Sequence, residues 1–406
     1  MRTNTLGLVM KALGRWSPAI GVNKKEVLII EPSALVGTME LPPSKSHAMR
    51  WLVLASMDSN PTKIEMSEIG TDAQSMIRCL SQMGIPFEDG VMSGGILQRP
   101  ISVLNCANSG TAFRFLLAQA ATCDFPIMLD GDDSLRARSS LHLIETLGIN
   151  ISKGHGSEEA PVLLKGPFTS SEVNIDVSTS SQFHSALLLM APRANGFELK
   201  TTGSPVSSRH SDLTWDLCQL TGATEPGQPW KVECPDVVIP SDASMMAFAM
   251  LAGLEVSNRP KAEDSIGHEV LFEGGAVIDL TDANDLICPL AAILALQEGG
   301  TITGAAHASL KESNRILRTV ELLECFGLKA EAREDGLAVD GGQIPIRPKG
   351  IVETHSDHRL QMTAVLLAAK TGGVIDGAGL HMVAWPSYLS QLQECGLDVS
   401  VVMIQP

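Results

Sequence analysis

Aromatic and basic side chains are both scarce in this sequence. Aromatic residues make up 4% of the 406 residues, and tyrosine occurs once, so the stacking platforms that bind single-stranded nucleic acid are largely lacking. Lysine and arginine number 30 against 46 aspartates and glutamates, which gives a formal net charge of −16 at pH 7. This balance excludes general nucleic-acid binding. An anionic ligand must therefore be met by a local cluster of cations in an otherwise acidic protein.

Long apolar runs and paired cysteine motifs are also missing. No apolar run reaches the roughly 18 residues that a membrane-spanning helix needs, so we expect a soluble protein with no membrane partner. The eight cysteines lie far apart, without Cys-x-x-Cys or the Cys/His spacing of a zinc site. They are typical of small core side chains in a reducing compartment, which predicts a cytoplasmic protein without a bound metal.

The first 25 residues differ from the rest in charge. They contain five cations and no acidic residue, and they lack the apolar core of a secretory signal. We interpret residues 1–25 as an N-terminal extension outside the fold, without a fixed conformation.

A repeated pattern runs through the remainder of the chain. An apolar helical segment ends at a glycine and a short strand follows, as expected of a glycine just past the last helical turn. These glycines are Gly84, Gly148, Gly222, Gly327 and Gly396. They lie roughly 65 to 75 residues apart, except that the interval from Gly222 to Gly327 is about one and a half times longer. A degenerate copy over residues 242–279 completes six α/β units.

Six units over this length predict two similar domains of three units each. A proline interrupts a strand at Val238-Ile239-Pro240-Ser241, and the chain crosses earlier near Pro42-Pro43. The predicted domains are residues 43–239, and residues 26–42 together with 240–406. Because the first crossing lies beside Lys45, we expect the binding site in the cleft between the domains.

Five predicted helix starts have a hydroxyl or asparagine side chain, and most also have a lysine or arginine. They lie within residues 44–50, 108–114, 180–183, 311–315 and 356–359. Any one of them is typical of an ordinary capped helix. Together they predict a site for a substrate with several negative charges, because free N–H groups and nearby cations at a helix start bind anions.

The order of these motifs resembles the EPSP synthase family, the 3-phosphoshikimate 1-carboxyvinyltransferases, from about Val27 onward. The matching motifs are Lys45-Ser46 with Arg50, Asn108 to Arg114, Ser134 to Ser139, Ser180 to Gln182, Lys311 to Arg315, and Asp357 to Arg359. The resemblance implies an α/β fold of two similar domains, each of three βαβαββ units in an inside-out α/β barrel, with the active site in the interdomain cleft. It also implies transfer of the enolpyruvyl group of phosphoenolpyruvate to the 5-hydroxyl of shikimate 3-phosphate.

The resemblance implies ligands for both substrates. Shikimate 3-phosphate is expected to be bound at its phosphate by Ser180, Ser181, Ser207 and Lys311, and at its ring by Ser46, Arg50 and Gln182. Phosphoenolpyruvate is expected to be bound by Lys45, Arg138, Arg315 and Arg359, because a planar guanidinium matches carboxylate and phosphate oxygens. Asn108, Gly110 and Arg114 complete the expected substrate-binding set.

The reaction implied by the resemblance needs a base for the hydroxyl and an acid near C3 of phosphoenolpyruvate, with no metal or cofactor. We interpret Asp285 as the base, although Asn284 competes for the position. Glu312 is assigned to a proton relay. Lys45 is assigned to acid/base chemistry and to neutralising the departing phosphate. The expected enzyme is a monomer whose domains close over the substrates.

Three positions depart from the family pattern. Val383 stands where the family has a lysine, Asn314 replaces an aspartate and Ser139 replaces a proline. The loss of the lysine predicts weaker binding of phosphoenolpyruvate and of glyphosate, the inhibitor of this family, unless another cation such as His381 compensates.

Two alternatives remain open at this stage. One is a degenerate relative that binds a phosphorylated ligand without turnover, which Val383 and Asn314 favour. The other is a sibling enolpyruvyl transferase with another acceptor, such as UDP-N-acetylglucosamine. The sibling carries a cysteine in the loop that reads Asp133 to Ser140 here, and this loop has none.

Overall fold

A computed structural model describes residues 25–153, 160–261, 266–273 and 275–405. The predicted N-terminal extension lies, up to residue 24, outside the described residues. Among the described residues, no helix is both long and apolar enough to cross a membrane.

The described chain alternates helices and short strands. The α-helices are α1 Lys45–Ala55, α2 Thr71–Gln82, α3 Gly110–Ala121, α4 Asp133–Arg136, α5 Leu141–Leu147, α6 Ser181–Met190, α7 Ser208–Leu220, α8 Met246–Ala252, α9 His268–Glu273, α10 Ile287–Leu296, α11 Arg315–Cys325, α12 His358–Thr371 and α13 Tyr388–Glu394. Short 3-10 helices occur at Ala191–Arg193, Ala243–Met245, Asn284–Leu286, Ala306–Leu310 and Leu380–Val383.

The strands are two to seven residues long. They are β1 Lys25–Glu31, β2 Thr38–Met39, β3 Pro61–Glu65, β4 Phe87–Glu88, β5 Val91–Ser93, β6 Leu104–Asn105, β7 Ile127–Asp130, β8 Asn150–Lys153, β9 Val162–Lys165, β10 Glu172–Asp176, β11 Glu198–Thr202, β12 Val237–Val238, β13 Glu255–Val256, β14 Val277–Asp279, β15 Gly299–Thr303, β16 Ala330–Arg333, β17 Gly336–Asp340, β18 Ile351–Val352, β19 Gly373–Asp376 and β20 Asp398–Ile404.

Four sheets share one arrangement: across each sheet the first two strands are parallel, and the third is antiparallel to both of its neighbours. Their orders are β6-β7-β9-β8, β14-β15-β17-β16, β12-β3-β5-β4 and β18-β19-β1-β20. Two smaller sheets, β10-β11 and β13-β2, have the parallel pair alone. The prediction of six α/β units is therefore confirmed, including the degenerate copy, although two units are shortened and the sheets are separate rather than closed into a barrel.

Besides the pair β13-β2, two further sheets are completed by strands from distant parts of the chain. β12 pairs in parallel with β3, so the end of one set of three units completes its first sheet. β1 pairs with both β19 and β20, with Val27 opposite Asp376 and Val402. These pairings join the first described strand to the last.

The buried residues form two hydrophobic cores, one from residues 48–239 and one from residues 28–41 together with 245–397. We call the chain around the first core, residues 43–239, the first half, and residues 25–42 with 240–405 the second half. Helices α1, α3 and α6 contact one another at the centre of the first half, and α8, α10 and α12 do so in the second. Their near-continuous apolar sequences explain this, because a helix that is apolar all round is stable only when buried.

The glycines that define the repeat end their helices as predicted. Gly84, Gly148, Gly222, Gly327 and Gly396 all have positive φ, a conformation that costs a residue with a Cβ atom energy.

The two crossings between the halves lie side by side. The amide of Ser44 donates to the carbonyl of Pro240 at 2.7 Å, and the amide of Asp242 donates to that of Pro42 at 2.8 Å. Pro43 and Ser241 form an antiparallel bridge. This pair of short segments places the start of α1 at the junction of the halves.

Candidate active site

A cleft of about 790 Å³, measured to its open mouth, lies between the two halves. Its lining consists of Lys45, Ser46, Met49, Arg50, Asp72, Gly110, Thr111, Arg114, Arg138, Ser181, Gln182, Ser207, His210, Asn284, Asp285, Leu310, Lys311, Glu312, Arg315, His358 and Arg359. Every site residue predicted from the sequence is in this set except Asn108 and Ser180. The structure thus brings together residues that span more than 300 positions of the chain.

The helix starts predicted from the sequence converge on the cleft. Their capping side chains accept hydrogen bonds from the first helical turn: Ser44 from His47, Ser109 from Ala112, Ser180 from Gln182, Asn314 from Leu317 and Asp357 from Arg359. The caps fix where each helix begins and therefore where the polar side chains of that turn point. One expectation was imprecise, because α11 begins at Arg315 and leaves Lys311 and Glu312 in the preceding loop.

The two predicted residues outside the lining have local roles in the structure. Ser180 caps α6, with its Oγ 3.3 Å from the amide of Gln182. Asn108 holds Arg138, whose guanidinium donates to the side-chain oxygen of Asn108 at 2.8 Å and to its carbonyl. Asn108 therefore orients a cation at the cleft.

The lining is strongly positive. It contains seven cations, Lys45, Arg50, Arg114, Arg138, Lys311, Arg315 and Arg359, against three carboxylates, Asp72, Asp285 and Glu312. The excess lies in a protein whose sequence is acidic overall. Such a cleft favours a ligand with several negative charges.

Arg315 organises the carboxylates. This side chain is 1% exposed, and it donates to Asp285 at 2.6 Å, Glu312 at 2.5 Å and Asp357 at 2.8 Å. Arg359 contacts Asp285 from another side at 3.1 Å. Because a buried charge needs partners, these contacts stabilise both guanidinium groups and hold Asp285 and Glu312 on one cation.

Both cleft carboxylates are held in the ionised form. Burial alone raises the pKa of Asp285, but Arg359, Arg315 and Lys311 outweigh it and keep the pKa well below its ordinary value. Burial also raises the pKa of Glu312, and Arg315 with Arg138 holds it well below the ordinary range. Nearby cations favour the charged form of a carboxyl group.

The lysines of the cleft differ in their surroundings. Lys45 lies 3.0 Å from Asp72. Burial lowers the pKa of Lys45, whereas Asp72, Glu312 and Asp285 raise it. The three carboxylates outweigh burial, so the pKa lies above its ordinary value. Burial is the largest influence on Lys311 and lowers its pKa.

The first half contributes a hydrogen-bonded wall of arginine and amide groups. Arg50 donates to the Oγ1 of Thr214 at 2.6 Å and to the carbonyl of His210 at 2.8 Å. Gln182 accepts from Arg114 at 2.6 Å and donates to Thr111 at 3.1 Å. These contacts fix donors that face the cleft.

Asn284 and Asp285, which competed for the position of the base, point to different partners. The Nδ2 of Asn284 lies 3.0 Å from the Oγ of Ser207 and 2.7 Å from the Nε2 of His307, and Ser207 lies 3.1 Å from the same nitrogen. Asp285 faces the guanidinium groups of Arg315 and Arg359. The carboxylate therefore lies among the cleft cations, whereas the amide ties Ser207 of the first half to the second.

The structure adds residues that sequence reasoning missed. Asp72 and His307 lie outside the motifs singled out in the sequence, and their polar partners lie on other elements. His210 was not predicted either; it lies half-buried beside Arg50, and burial lowers its pKa to about 3. The first turn of α2, with Gly70 before Thr71 and Asp72, was the available signal for Asp72.

The three departures from the family pattern have distinct surroundings. Asn314 caps α11, and the carbonyl of Ser139 accepts from Arg114 at 3.0 Å. Val383 is half-buried in a 3-10 helix of the second half. His381, considered as a substitute cation, is buried, and burial lowers its pKa to about 4. His381 is therefore neutral near pH 7.

A family profile described as EPSP synthase (3-phosphoshikimate 1-carboxyvinyltransferase) matches residues 29–254 and 228–392. The 3-phosphoshikimate 1-carboxyvinyltransferase of Methanocorpusculum labreanum is 31% identical, over 92% of this chain and 99% of its own length. The protein of the same name from Korarchaeum cryptofilum is 30% identical, over 91% of this chain and 98% of its own length.

Solved structures share the fold. The EPSP synthase of Acinetobacter baumannii matches with a TM-score of 0.73 and 22% identity, over 94% of this chain and 100% of that one. The enolpyruvyl transferase NikO from Streptomyces tendae matches with a TM-score of 0.68 and 15% identity, over 94% of this chain and 100% of that one. These two likenesses concern the fold.

Proposed function

The chain belongs to the EPSP synthase family, the 3-phosphoshikimate 1-carboxyvinyltransferases, and from that membership we propose how its own residues perform the family's reaction. The enzyme transfers the enolpyruvyl group of phosphoenolpyruvate to the 5-hydroxyl of shikimate 3-phosphate and releases phosphate. The observation that carries the assignment of residues is the cleft itself, where seven cations and three carboxylates meet between the halves.

The two substrates contact different sets of side chains in this proposal. Shikimate 3-phosphate lies mainly against the first half, with Lys311 supplied by the second: Ser180, Ser181, Ser207 and Lys311 bind its phosphate, and Ser46, Arg50 and Gln182 bind its ring. Phosphoenolpyruvate takes the cations Lys45, Arg138, Arg315 and Arg359. Asn108, Gly110 and Arg114 support both, since Asn108 orients Arg138 and Arg114 holds Gln182.

Asp285 is the proposed base for the 5-hydroxyl. Its pKa is held well below normal by Arg359 and Arg315, so it is ionised and ready to accept a proton. When substrate anions engage the same guanidinium groups, their negative charge raises the proton affinity of the carboxylate. The base therefore becomes stronger when the substrate is in place.

Glu312 is the proposed proton relay at C3 of phosphoenolpyruvate. In the addition step Glu312 passes a proton from the Lys45 ammonium to C3, and in the elimination step it takes one from C3 back to Lys45 as phosphate leaves, so the same group acts in both directions. The low pKa of Glu312 is set by Arg315 and Arg138, and the incoming anion raises it by the same argument as for Asp285. The protonated Lys45 ammonium then neutralises the departing phosphate.

Phosphate release tests the proposal directly. Purified enzyme with both substrates is expected to release one phosphate for each enolpyruvyl group transferred. Release with UDP-N-acetylglucosamine in place of shikimate 3-phosphate would support the sibling transferase. Binding of shikimate 3-phosphate by calorimetry without release would support the degenerate relative. No comparison favours either alternative.

We also propose the wider setting of the enzyme. The domains are taken as residues 43–239, and residues 26–42 with 240–406, each built around one hydrophobic core. A monomer is proposed because one chain supplies the cleft lining described above. The eight cysteines are free, which supports a reducing cytoplasmic location.

A further inference from the structure

Asp72 is a buried carboxylate at the cleft with no role in the motifs of the family pattern discussed above. Its Oδ2 lies 3.0 Å from the Nζ of Lys45, and the two side chains are 6% and 21% exposed. A pair this well shielded from water is not a surface ion pair of negligible strength. The pair therefore helps to fix the position of the Lys45 ammonium.

The other carboxylates near Lys45 are committed elsewhere. Asp285 pairs with Arg315 and Arg359, and Glu312 pairs with Arg315. Asp72 reaches Lys45 from the first turn of α2. Lys45 is thus held between Asp72 of the first half and the paired carboxylates and arginines of the second half.

The position of Asp72 is fixed by contact between the halves. α2 begins directly after Gly70, and a Cβ atom at Gly70 would lie 2.5 Å from the carbonyl oxygen of Val383. Two residues earlier, the Oε2 of Glu68 accepts a hydrogen bond from the amide of Ser387 at 2.9 Å. The start of α2 therefore packs against the segment in which Val383 replaces the lysine of the family.

We infer that Asp72 is a positioning residue of the transferase reaction, which holds the Lys45 ammonium protonated and aimed into the cleft. The inference rests on the role proposed for Lys45 and adds the group that maintains it. Asp72 acts through Lys45 and not on the substrate.

The charges around Lys45 support this assignment. Asp72 faces it from α2, Asp285 from the 3-10 helix Asn284–Leu286, and Glu312 from the loop before α11; Arg359 and His358 face it from α12. Burial lowers the pKa of Lys45, and among the opposing carboxylates Asp72 raises it most. Without the charge of Asp72, burial and Arg359 still lower the pKa of Lys45. Only Asp285 and Glu312, which also pair with arginines, then raise it.

The test is Asp72→Asn, which keeps the shape of the side chain and removes its charge. The pH dependence of Lys45 acetylation by acetic anhydride, followed by mass spectrometry, reports the protonation of this amine without any turnover. We expect the midpoint to fall by about one to three pH units, the usual effect of an opposite charge at this distance. The matched control is Glu88→Gln on the exposed β4 of the same half, with an unchanged midpoint.

Turnover then separates positioning from folding. In Asp72→Asn the alkaline limb of kcat/KM for phosphoenolpyruvate is expected to move to lower pH by the same shift, and Asp72→Glu should restore most of it. In a Lys45→Ala background, Asp72→Asn should lower kcat little further. An unmoved acetylation midpoint, or losses that multiply fully in the double variant, would overturn the inference. Absent phosphate release in the unmodified enzyme would instead refute the proposed function and leave the acetylation result standing.

Discussion

At the scale of single residues, Lys45 and Glu312 are the groups whose removal should affect chemistry most. General acid/base groups contribute about 10²- to 10⁴-fold to rate. We expect Lys45→Ala and Glu312→Gln each to lower kcat by that factor while the melting temperature changes by a few degrees. Phosphate release and thermal denaturation measure the two effects.

The surface pair on β3 provides matched controls for these variants. Lys63 and Glu65 form an exposed ion pair, so Lys63→Ala and Glu65→Gln should leave kcat unchanged. Near-normal turnover in Lys45→Ala or in Glu312→Gln would remove that residue from the mechanism.

Val383 gives a second prediction at this scale. A lysine here adds a charge-assisted contact for an anion, which is worth roughly 1.5 to 3 kcal/mol, and neutral His381 does not supply it. Val383→Lys is therefore expected to lower the KM for phosphoenolpyruvate and to increase inhibition by glyphosate. Steady-state kinetics at fixed shikimate 3-phosphate measure both.

Val383→Met is the appropriate control, because it adds length without charge. If the lysine variant changes neither KM nor inhibition, the side chain at position 383 does not reach the phosphoenolpyruvate subsite. Its half-buried position beside the start of α2 would then serve packing alone.

At the scale of elements, the start of α12 combines capping with charge burial. Asp357 is fully buried, accepts from the amide of Arg359 at 2.9 Å and pairs with Arg315 at 2.8 Å. Breaking a buried pair by removing one partner costs about 3–5 kcal/mol. Asp357→Asn should therefore lower the free energy of unfolding by about 3 kcal/mol. This is the low end of that range, because Arg315 keeps two other carboxylate partners.

Urea denaturation measures this loss, and Glu321→Gln is its control. Glu321 pairs with Arg318 at 2.7 Å on an exposed face of α11, where an ion pair contributes about 0–1 kcal/mol. Equal effects of the two variants would show that burial at the start of α12 does not strengthen the pair.

The elements also show what sequence reasoning can reach. The helix starts were predicted to within a few residues because capping is local: the side chains of Ser109 and Asn314 accept from amides three residues ahead. The pairing of β1 with β20 and the contact of Asp72 with Lys45 depend on packing between distant segments, which no local pattern encodes. The choice between Asn284 and Asp285 needed the direction of each side chain in a 3-10 helix.

At the scale of the whole molecule, closure of the two halves depends on charge. Arg138 of the first half lies 3.6 Å from Glu312 of the second, so opposite charges already meet across the cleft. The excess of cations still opposes closure, and we expect shikimate 3-phosphate to shift the protein toward the compact form.

Small-angle scattering measures this shift as a smaller radius of gyration with saturating shikimate 3-phosphate. Shikimate, which lacks the phosphate, is the matched ligand and should have a weaker effect at equal concentration. Scattering profiles that coincide with and without shikimate 3-phosphate would contradict charge-driven closure.

The pairing of β1 with β19 and β20 has a consequence for the order in which the protein is made. Residues 43–239 are an uninterrupted insertion into the second half. The sheet β18-β19-β1-β20 of the second half, by contrast, needs both the first described strand and the last. Domains fold as units while the ribosome extends the chain. The inserted half can therefore complete its core early in synthesis. Both edges of β1 remain unpaired until residues 373–404 have left the ribosome.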